Sequence, residues 1–381
     1  MKQGWEYKKL GEIGNIVTGS TPSTKDESNY SPREYCFVKP SDLPSQRIAL
    51  IEETEYYVSR KGLSQSRVLP TGSVLVSCIG SIGKIGILAK EACSNQQINA
   101  IIPKNDIDSK FIAYSIYAYR FLLESIANAP VVPIINKTDF SKIQIPIPPK
   151  STQLSIVSEL DKINELIRLK KEQLKDYDNL AQSIFYEMFG DPVENDKGWE
   201  VKKLGEVGQI VTGTTPSTNE ESNWNGNINW VTPAELGTQL YYGETIRRIS
   251  TNAAKRLTLM PVGTVLLSTR APIGKLAITK VPMCCNQGFK NIICCQDLNN
   301  IFLCFYLLLT MDKIKAMGRG ATFKEVSKQA ISHYLVPLPP LPLQQLFAQR
   351  IEKIEHQKSE VTKAITDLET LLASRMQHWF E

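Results

Sequence analysis

The chain has 381 residues, of which 42% are hydrophobic and 22% charged, with a formal net charge of +5. That length is too great for one ordinary core and predicts two domains of about 150 residues each plus connecting helices. The first nine residues are polar, unlike a signal peptide, and the longest apolar run, residues 301–309, is far short of the roughly 20 residues that span a bilayer. We therefore expect a soluble, cytoplasmic protein and exclude a membrane protein.

The charge is unevenly distributed along the chain. Residues 1–150 and 191–341 each carry a net charge of +4, whereas residues 151–190 carry −2 and residues 342–381 carry −1. A modest basic excess is common on solvated surfaces, so by itself it favours a nucleic-acid partner only slightly.

Eight cysteines and three histidines give little support for a metal site. Cys284-Cys285 and Cys294-Cys295 could in principle supply four thiolates to zinc, but neighbouring residues on a strand face opposite sides. Buried, reduced thiols are the favoured interpretation. All three histidines lie in the second half of the chain, which excludes a histidine-based centre shared by both halves.

An internal repeat begins near the N-terminus. Residues 4–24 read GWEYKKLGEIGNIVTGSTPST and residues 198–218 read GWEVKKLGEVGQIVTGTTPST, identical at 17 of 21 positions. The offset of 194 falls to 191 by Pro70 and then holds. Two further pairs of segments repeat at that offset: residues 72–102 with 263–293, which share Ile-Gly-Lys and Asn-Gln steps, and IPIPP at 145–149 with VPLPP at 336–340. The chain is one unit of about 190 residues written twice.

Each copy predicts the same succession of elements. Runs rich in Val, Leu and Ile predict strands, and longer apolar stretches predict helices packed on the resulting sheet. The predicted strands are residues 73–77, 99–102, 265–268 and 290–293, and the predicted helices are residues 111–126 and 301–317. Each copy is therefore expected to be a mixed α/β domain.

The copies differ most between residues 25–69 and 219–260, and between residues 103–142 and 294–333. Drift of unconstrained surface could explain this, but drift should also have changed the nearly identical flanking segments. Different ligand specificities on one scaffold are the favoured interpretation.

A long helix follows each domain. Apolar residues recur at alternating spacings of three and four, in the same phase, in residues 152–189 and 347–379. Prolines precede both segments, and Gly190 follows the first. One such helix could cover a core or form a homotypic coiled coil, but two matching copies favour intramolecular pairing. The predicted helix-pairing residues are Leu160, Ile167, Leu174, Ile184, Ile351, Ile354, Val361, Leu368 and Leu372.

These elements predict an α+β fold in which two duplicated α/β domains are joined by two long antiparallel helices with pseudo-two-fold symmetry. Because Phe380 corresponds to Phe189 and Met1 to Asn195, the chain ends should lie close together. The predicted segments are a first domain at 1–150, a spacer helix at 151–190, a second domain at 191–341 and a second spacer helix at 342–381.

Motifs for covalent chemistry were tested and rejected. Ile-Gly-Lys at 82–84 and 273–275 lacks the first glycine of a phosphate loop and the hydroxyl residue after the lysine. The near-paired acids Asp26-Glu27 and Glu220-Glu221 have no histidine or metal cluster nearby. We expect no catalytic and no metal-binding residues.

Taken together, the motifs resemble the specificity subunits of type I restriction-modification enzymes. The matching features are the duplicated Gly-Trp-x-x-x-x-Leu-Gly opening, the Thr-Gly-x-Thr-Pro turn, the Ile-Gly-Lys and Asn-Gln steps, and Pro-x-Pro-Pro before each long helix. The resemblance covers essentially the whole chain. One departure is local: Ser151-Thr152 and Pro342-Leu343 precede Gln153 and Gln344, where the family often has acidic residues.

The resemblance implies that each domain is a target recognition domain for one half of a bipartite, asymmetric double-stranded DNA site. The helices would set the gap and dock two methyltransferase subunits, and motor-nuclease (restriction) subunits are a further partner that the sequence leaves open. No cofactor is expected in this chain, and S-adenosylmethionine is expected on the methyltransferase subunit. The specificity subunit of a type IIB-like or orphan methyltransferase complex, and a coiled-coil adapter that binds no DNA, stay open as alternatives.

The candidate DNA-binding residues are polar or basic side chains of the loops, with the paired lysines expected to anchor phosphates and the paired threonines to support them. Each could also be an ordinary surface or turn residue. The candidates are Thr21, Lys39, Ser41, Arg67, Lys84, Thr215, Arg270, Lys275, Lys290, Arg319 and Lys324.

Overall fold

The computed structural model describes residues 4–45, 47–127, 132–318 and 325–380. The chain divides into two compact units, here called unit 1 (Met1–Leu169 with Ile365–Glu381) and unit 2 (Lys170–Ala364). Both divisions fall within the long helices. Each unit is therefore an α/β domain together with about half of each long helix.

The described elements of unit 1 follow the predicted succession. The strands are β1 (Glu6–Lys9), β2 (Gly14–Thr18), β3 (Tyr35–Val38), β4 (Ile48–Ile51), β5 (Tyr57–Val58), β6 (Val74–Ser77), β7 (Ile85–Leu88), β8 (Ala92–Ser94), β9 (Ile98–Pro103) and β10 (Gln144–Ile147). The helices are α1 (Leu10–Ile13), α2 (Arg60–Ser64), α3 (Ser109–Ala118), α4 (Arg120–Ile126), α5 (Lys137–Lys142) and the central helix α6 (Lys150–Phe189), with a 3-10 turn at Glu27–Asn29.

Three sheets organise these strands. The main sheet has the order β2-β9-β6-β7-β4, antiparallel except for the parallel pair β4 and β7. A second sheet, β5-β3-β8, pairs β3 in parallel with β8, and a two-stranded sheet joins β1 to β10. Helix α3 and the first turns of α6 cover one face of the main sheet, where Phe111, Ile156 and Leu160 are buried in one core.

Unit 2 repeats this set of elements. Its strands are β11 (Val201–Lys203), β12 (Gly208–Thr212), β13 (Trp224–Val231), β14 (Tyr241–Tyr242), β15 (Arg247–Ile249), β16 (Val265–Leu267), β17 (Leu276–Thr279), β18 (Met283–Cys285), β19 (Lys290–Cys294) and β20 (Leu335–Pro337). Its helices are α7 (Leu204–Val207), α8 (Thr251–Ala254), α9 (Asn300–Leu309), α10 (Met311–Ala316), α11 (Lys328–Ser332) and the C-terminal helix α12 (Leu341–Phe380), with 3-10 turns at Glu221–Asn223 and Pro233–Glu235.

The sheet orders of unit 2 are β12-β19-β16-β17-β14, β15-β13-β18 and β11-β20, which match those of unit 1 strand for strand. The parallel pairs also match, because β14 lies beside β17 and β13 beside β18. The predicted α+β fold with an internal duplication is therefore confirmed, and the four predicted strands are present within one or two residues of their predicted bounds.

The apolar stretches predicted as single helices are each broken. The first divides into α3 and α4 at Tyr119, and the second into α9 and α10 at Thr310. Both residues have φ near −100° and ψ near +16°, outside the helical range. Since Thr310 lies 191 residues after Tyr119, the break belongs to the repeated backbone.

The long helices α6 and α12 have 40 residues each and begin slightly before the predicted starts. In unit 1 the start of α6 contacts the end of α12, where Arg375 and Trp379 donate hydrogen bonds to Glu159. In unit 2 the end of α6 contacts the start of α12 through Phe185 and Phe347, whose rings lie 5.5 Å apart. This is the order that antiparallel pairing requires.

The predicted pairing residues are buried or half-buried. Leu160, Ile167, Ile351, Ile354 and Val361 are buried, and Leu174, Ile184, Leu368 and Leu372 are half-buried. One expectation needs refinement, because Phe185 rather than its neighbour Ile184 is fully buried at the C-terminal end of α6.

The chain ends of the described region follow the repeat. Trp5 and Phe380 both pack on Phe111, with ring centroids 6.5 Å and 5.8 Å from it. Phe189 packs on Phe302 in unit 2 at 4.7 Å, at the equivalent positions. The predicted closeness of the ends was based on Phe380 and Met1, and Met1 lies outside the described residues.

The cysteines are free, and all of them are buried except Cys294, which is half-buried, and Cys295, which is exposed. Cys284 and Cys285 face different cores, as predicted. Burial raises the pKa of Cys285 to about 12, so its thiol stays protonated at neutral pH. Within the described residues, no group of three or more His, Cys, Asp or Glu is placed to hold a metal ion, and no helix is long and apolar enough to cross a membrane.

Candidate nucleic-acid interface

Three loops meet at one edge of each unit, and the first is the lysine loop, residues 82–84 in unit 1 and 273–275 in unit 2. The serine that precedes it fixes its backbone, because Ser77 Oγ accepts a hydrogen bond from Lys84 N at 2.9 Å and Ser268 Oγ one from Lys275 N at 2.8 Å. The loop glycines have φ of 79° and 100°, in a range that side chains other than glycine rarely adopt. The Ile-Gly-Lys step is thus a turn that aims its lysine.

Each of these lysines reaches the second loop, called the turn, residues 39–42 in unit 1 and 232–235 in unit 2. Lys84 Nζ donates to Pro40 O at 3.1 Å and Lys275 Nζ to Ala234 O at 3.3 Å. An ammonium group has three donors, so two remain for a phosphate or a base. Both lysines are half-buried, and their first role is to brace the turn.

The third loop, called the tip, comprises residues 53–57 in unit 1 and 244–248 in unit 2. One carboxylate ties the tip to the turn in each unit. Asp42 accepts hydrogen bonds from Lys39 N at 2.7 Å and Glu55 N at 3.1 Å. Glu235 accepts from Thr232 N at 2.9 Å and Ile246 N at 2.8 Å. The nearby Tyr242 is buried beside Glu235, which raises its pKa to about 12.

The Thr-Gly-x-Thr-Pro turn lies against the Asn-Gln step in both units. Thr21 Oγ1 donates to Gln96 Oε1 and Thr215 Oγ1 to Gln287 Oε1, both at 2.7 Å. A Cβ atom on Gly19 would lie 2.1 Å from Asn95 O, and one on Gly213 would lie 2.3 Å from Asn286 O, both in the Asn-Gln step. Glycine is therefore required here for close backbone approach.

A charged triad occupies a further edge of unit 2. Glu325 pairs with Arg270 Nε at 2.9 Å and with Lys290 Nζ at 3.1 Å. Burial raises the pKa of Glu325, but the two cations outweigh burial and hold it below its usual range. Lys290 is 7% exposed whereas Arg270 is 48% exposed, so only the arginine presents its charge to solvent.

The predicted DNA-binding residues fall into three groups. Lys39, Ser41, Lys84 and Lys275 lie at the meeting of the lysine loop, turn and tip. Thr21, Arg67 and Thr215 lie around the Thr-Gly turn, where Arg67 Nη1 donates to Thr18 O at 2.6 Å. Arg270 and Lys290 form the triad with Glu325, and Arg319 and Lys324 lie outside the described residues.

The position of Lys290 does not suit the expected direct contact with DNA. Its ammonium group is buried, and its charge is paired with Glu325. The burial of β19, on which it lies, is the physical reason. Lys290 therefore positions Glu325, and through it Arg270.

The tip was missed by the sequence analysis, which treated residues 25–69 and 219–260 as sharing little. The structure shows that Glu53-Thr54 corresponds to Glu244-Thr245 and Val58-Ser59 to Ile249-Ser250. The offset there is already 191. The shared pattern Glu-Thr-x-x-x-(Val/Ile)-Ser was therefore available in the sequence, but three variable positions interrupt it.

Each unit thus carries the same loop frame, with polar and cationic side chains at its edge. The family model described as type I restriction modification DNA specificity domain matches residues 2–176 and again residues 196–370. This match covers most of the chain, and the protein belongs to this family.

Particular relatives agree with that assignment. The chain is 24% identical to the MjaIX specificity subunit of Methanocaldococcus jannaschii, over 92% of this chain and 86% of the relative. It is 30% identical to the HindI specificity subunit of Haemophilus influenzae, over 42% of this chain and 36% of the relative. Its fold is similar to that of a chain solved in a study of complex assembly and conformational transition of the type I restriction-modification system. The TM-score is 0.62 and the identity 19%, over 99% of this chain and 97% of that chain. It is also similar to the type I S subunit from M. genitalium, with a TM-score of 0.60, 14% identity and 99% and 96% coverage.

Proposed function

We propose that this chain is the DNA sequence-recognition subunit of a type I restriction-modification complex and that each unit reads one half of a bipartite, asymmetric site. The observation that carries the proposal is the repeated frame of lysine loop, turn and tip, which is held by equivalent hydrogen bonds but presents different side chains in the two units. Equal frames with different side chains are what an asymmetric target requires.

Lys84 and Lys275 are proposed as the phosphate anchors, and Lys39, Ser41, Arg67 and Arg270 as contacts to bases or backbone, with Thr21 and Thr215 supporting the adjacent turns. Phosphate contacts would fix the position of each unit on the duplex, and the variable side chains would supply the sequence preference.

The long helices are proposed to set the gap between the half-sites and to dock two methyltransferase subunits. Exposed leucines support a docking role, because Leu180 on α6 and Leu371 on α12 occupy equivalent positions of the repeat and are 47% and 46% exposed. Two equivalent apolar sites would suit two copies of one partner. Methyl transfer, with S-adenosylmethionine as cofactor, is assigned to those partners, and any DNA cleavage to motor-nuclease subunits, all in the cytoplasm.

The decisive experiment is genome-wide detection of adenine methylation in the native host with and without this gene. Loss of methylation at one bipartite motif on deletion would support the proposal and identify the target. If the methylome is unchanged, binding of the purified complex to random duplex DNA decides, and the absence of any enriched sequence would contradict the proposal.

The spacing role has its own test. Removing one heptad from each long helix, residues 168–174 and 359–365, shortens each by about 10.5 Å, or about three base pairs of DNA. The methylated motif should keep both half-sites and lose about three base pairs of gap. A shortened variant that methylates the original motif would contradict the spacer role.

A further inference from the structure

The tips of the two units share one backbone conformation. Thr54 Oγ1 donates to Tyr56 O and Thr245 Oγ1 to Arg247 O, each at 2.6 Å. The next amide, of Glu55 or Ile246, is bound by the carboxylate of the turn, and the serine that ends the segment caps the following helix in both units. The hydrogen bonds common to both tips therefore use backbone groups, the shared threonine and serine, and the carboxylate of the turn. In unit 1 the hydroxyl group of Tyr57 additionally donates to Glu53.

The three positions inside this frame differ completely between the units. Unit 1 has Glu-Tyr-Tyr at 55–57 and unit 2 has Ile-Arg-Arg at 246–248, so the formal charge changes from −1 to +2. Ile246 is 87% exposed, which is unusual for a large aliphatic side chain that makes no contribution to a core. Apart from Tyr57, which packs against a core of unit 1, these side chains are exposed to solvent.

Arg247 is held in position by aromatic rings. Its guanidinium lies 4.0 Å from the ring centroid of Trp224 and 5.1 Å from that of Trp230. Both indoles are anchored, since Trp224 Nε1 donates to Ser217 O at 3.2 Å and Trp230 Nε1 to Thr214 O at 3.1 Å. No carboxylate within the described residues pairs with Arg247. The stack orients the arginine and leaves its donors available.

Unit 1 has the same kind of contact with the roles exchanged. Tyr56, at the position of Arg247, supplies the ring, and Lys39 Nζ lies 3.1 Å from its centroid. Arg33 makes a second contact of this kind, since its guanidinium lies 4.5 Å from the ring centroid of Tyr57 and Arg33 Nη2 donates to Glu55 O at 3.0 Å. Both tips are thus preorganised by cation–π contacts, with opposite chemistry at their exposed ends.

We propose that these three tip residues determine the difference between the two half-sites, an inference that rests on the proposed function. In unit 2, Arg247 donates to O6 and N7 of a guanine in the major groove, and Ile246 contacts the methyl group of a neighbouring thymine. In unit 1, Glu55 accepts from the exocyclic amino group of a cytosine or adenine.

The test exchanges the tips in the complete chain, produced with its methyltransferase partner in a host without its own adenine methylation. One variant is Ile246→Glu, Arg247→Tyr and Arg248→Tyr, and the reciprocal variant is Glu55→Ile, Tyr56→Arg and Tyr57→Arg. The methylated motif is read by whole-genome sequencing. The unit 2 variant should lose its preference for guanine at one position by about 5- to 150-fold, while the other half-site and the gap stay unchanged.

The half-site read by the unaltered unit is an internal control in each experiment. Glu194→Gln, at an exposed glutamate outside the three loops, is a matched control that should leave the motif unchanged. A variant that keeps methylating the wild-type motif overturns the inference, whereas a wild-type complex without a bipartite motif contradicts the proposed function instead.

A tip variant that no longer methylates is followed by selection of bound sequences from random duplex DNA, with thermal unfolding as the test of folding. Enrichment of the intact half-site alone, or of a new partner half-site, supports the inference. Recovery of the wild-type sequence overturns it. Arg247→Lys provides a milder version, since lysine lacks the bidentate geometry and should weaken the guanine preference without changing the rest of the motif.

Discussion

One isolated β-bridge joins two apolar residues in unit 1 and two oppositely charged residues in unit 2. In unit 1 it joins Ile79 to Ile134, and in unit 2 it joins the equivalent Arg270 to Glu325. A third position differs with them. Asn99 in unit 1 accepts a hydrogen bond from Thr18 Oγ1 at 2.6 Å, whereas the equivalent Lys290 in unit 2 pairs with Glu325. The duplicated chain has kept the backbone and changed linked sets of side chains.

This difference shows how a buried charge is accommodated. Lys290 can be buried in β19 only because Glu325 lies on the facing segment, and Glu325 in turn holds Arg270 at the surface. The corresponding apolar pair in unit 1 needs no such support. Comparisons between the units therefore separate what the frame requires from what each unit has acquired, and four predictions follow, from the largest effect to the smallest.

The largest effect is expected in the cores that seat the long helices. Phe302→Ala and Phe111→Ala should each cost about 3–5 kcal/mol, because both rings are fully buried. Phe302→Ala should lower the free energy of unfolding by about 0.5–1.5 kcal/mol more than Phe111→Ala, because Phe302 packs on Phe185, Phe189 and Tyr306. Urea unfolding combined with hydrogen exchange measures each loss in its own unit, and a larger loss for Phe111→Ala would contradict the comparison.

The second effect concerns the triad. Glu325→Gln leaves the buried Lys290 without its counter-charge and should destabilise unit 2 by about 2–3 kcal/mol. Ile134→Ala, at the equivalent and partly exposed position, should cost less than about 1 kcal/mol.

Transplanting the set from unit 1, as Arg270→Ile, Lys290→Asn and Glu325→Ile together, should recover most of the stability lost in Glu325→Gln. Urea unfolding of the three variants provides the measurement. A triple variant that is no more stable than Glu325→Gln would contradict the idea that these three side chains were exchanged as one set.

The third effect depends on pH. Arg375, helped by Trp379 and against the effect of burial, lowers the pKa of Glu159 in unit 1. Its folded pKa thus lies below the unfolded value of about 4.3, so the stabilisation is complete above that value and is lost as pH falls through the folded pKa. The equivalent positions in unit 2 are Arg350 and Ile184, which cannot form this pair.

Glu159→Gln should therefore cost about 0.5–1 kcal/mol at pH 7 and nothing at low pH, and should flatten the acid limb of the unfolding curve for unit 1 only. Hydrogen exchange between pH 3 and pH 7 resolves the two units. An equal change in unit 2 would contradict the asymmetry.

The smallest effect tests the shared frame. Thr21→Val and Thr215→Val each remove one exposed hydrogen bond to a glutamine and should each cost no more than about 0.5 kcal/mol. The two losses should be equal within error in thermal unfolding. Clearly unequal losses would show that the frames are less alike than their distances indicate.

Much of the architecture could be predicted because strong periodic signals encode it. Heptad spacing predicted α6 and α12, and the repeat predicted two domains of the same succession. The break at Tyr119 and Thr310 was not predictable from apolar patterning, because both sides of the break are apolar and the kink depends on packing within each unit.

The site was predicted less completely. Lys84 and Lys275 could be proposed because they lie in nearly identical segments, but the structural correspondence of the tips was missed because three consecutive variable residues hide their shared ends. The burial of Lys290 could not be predicted from the sequence either, because its partner Glu325 lies 35 residues away and only the fold brings the two together.

The division of the long helices has a consequence for synthesis on the ribosome. Unit 2 is continuous in sequence and is complete once Ala364 has been made, whereas unit 1 begins at the N-terminus but needs residues 365–380 of α12. Domains generally fold as units while the chain emerges. Of the two units, unit 1 is therefore begun first and finished last, and Phe380 can reach Phe111 only after all of unit 2 has been made.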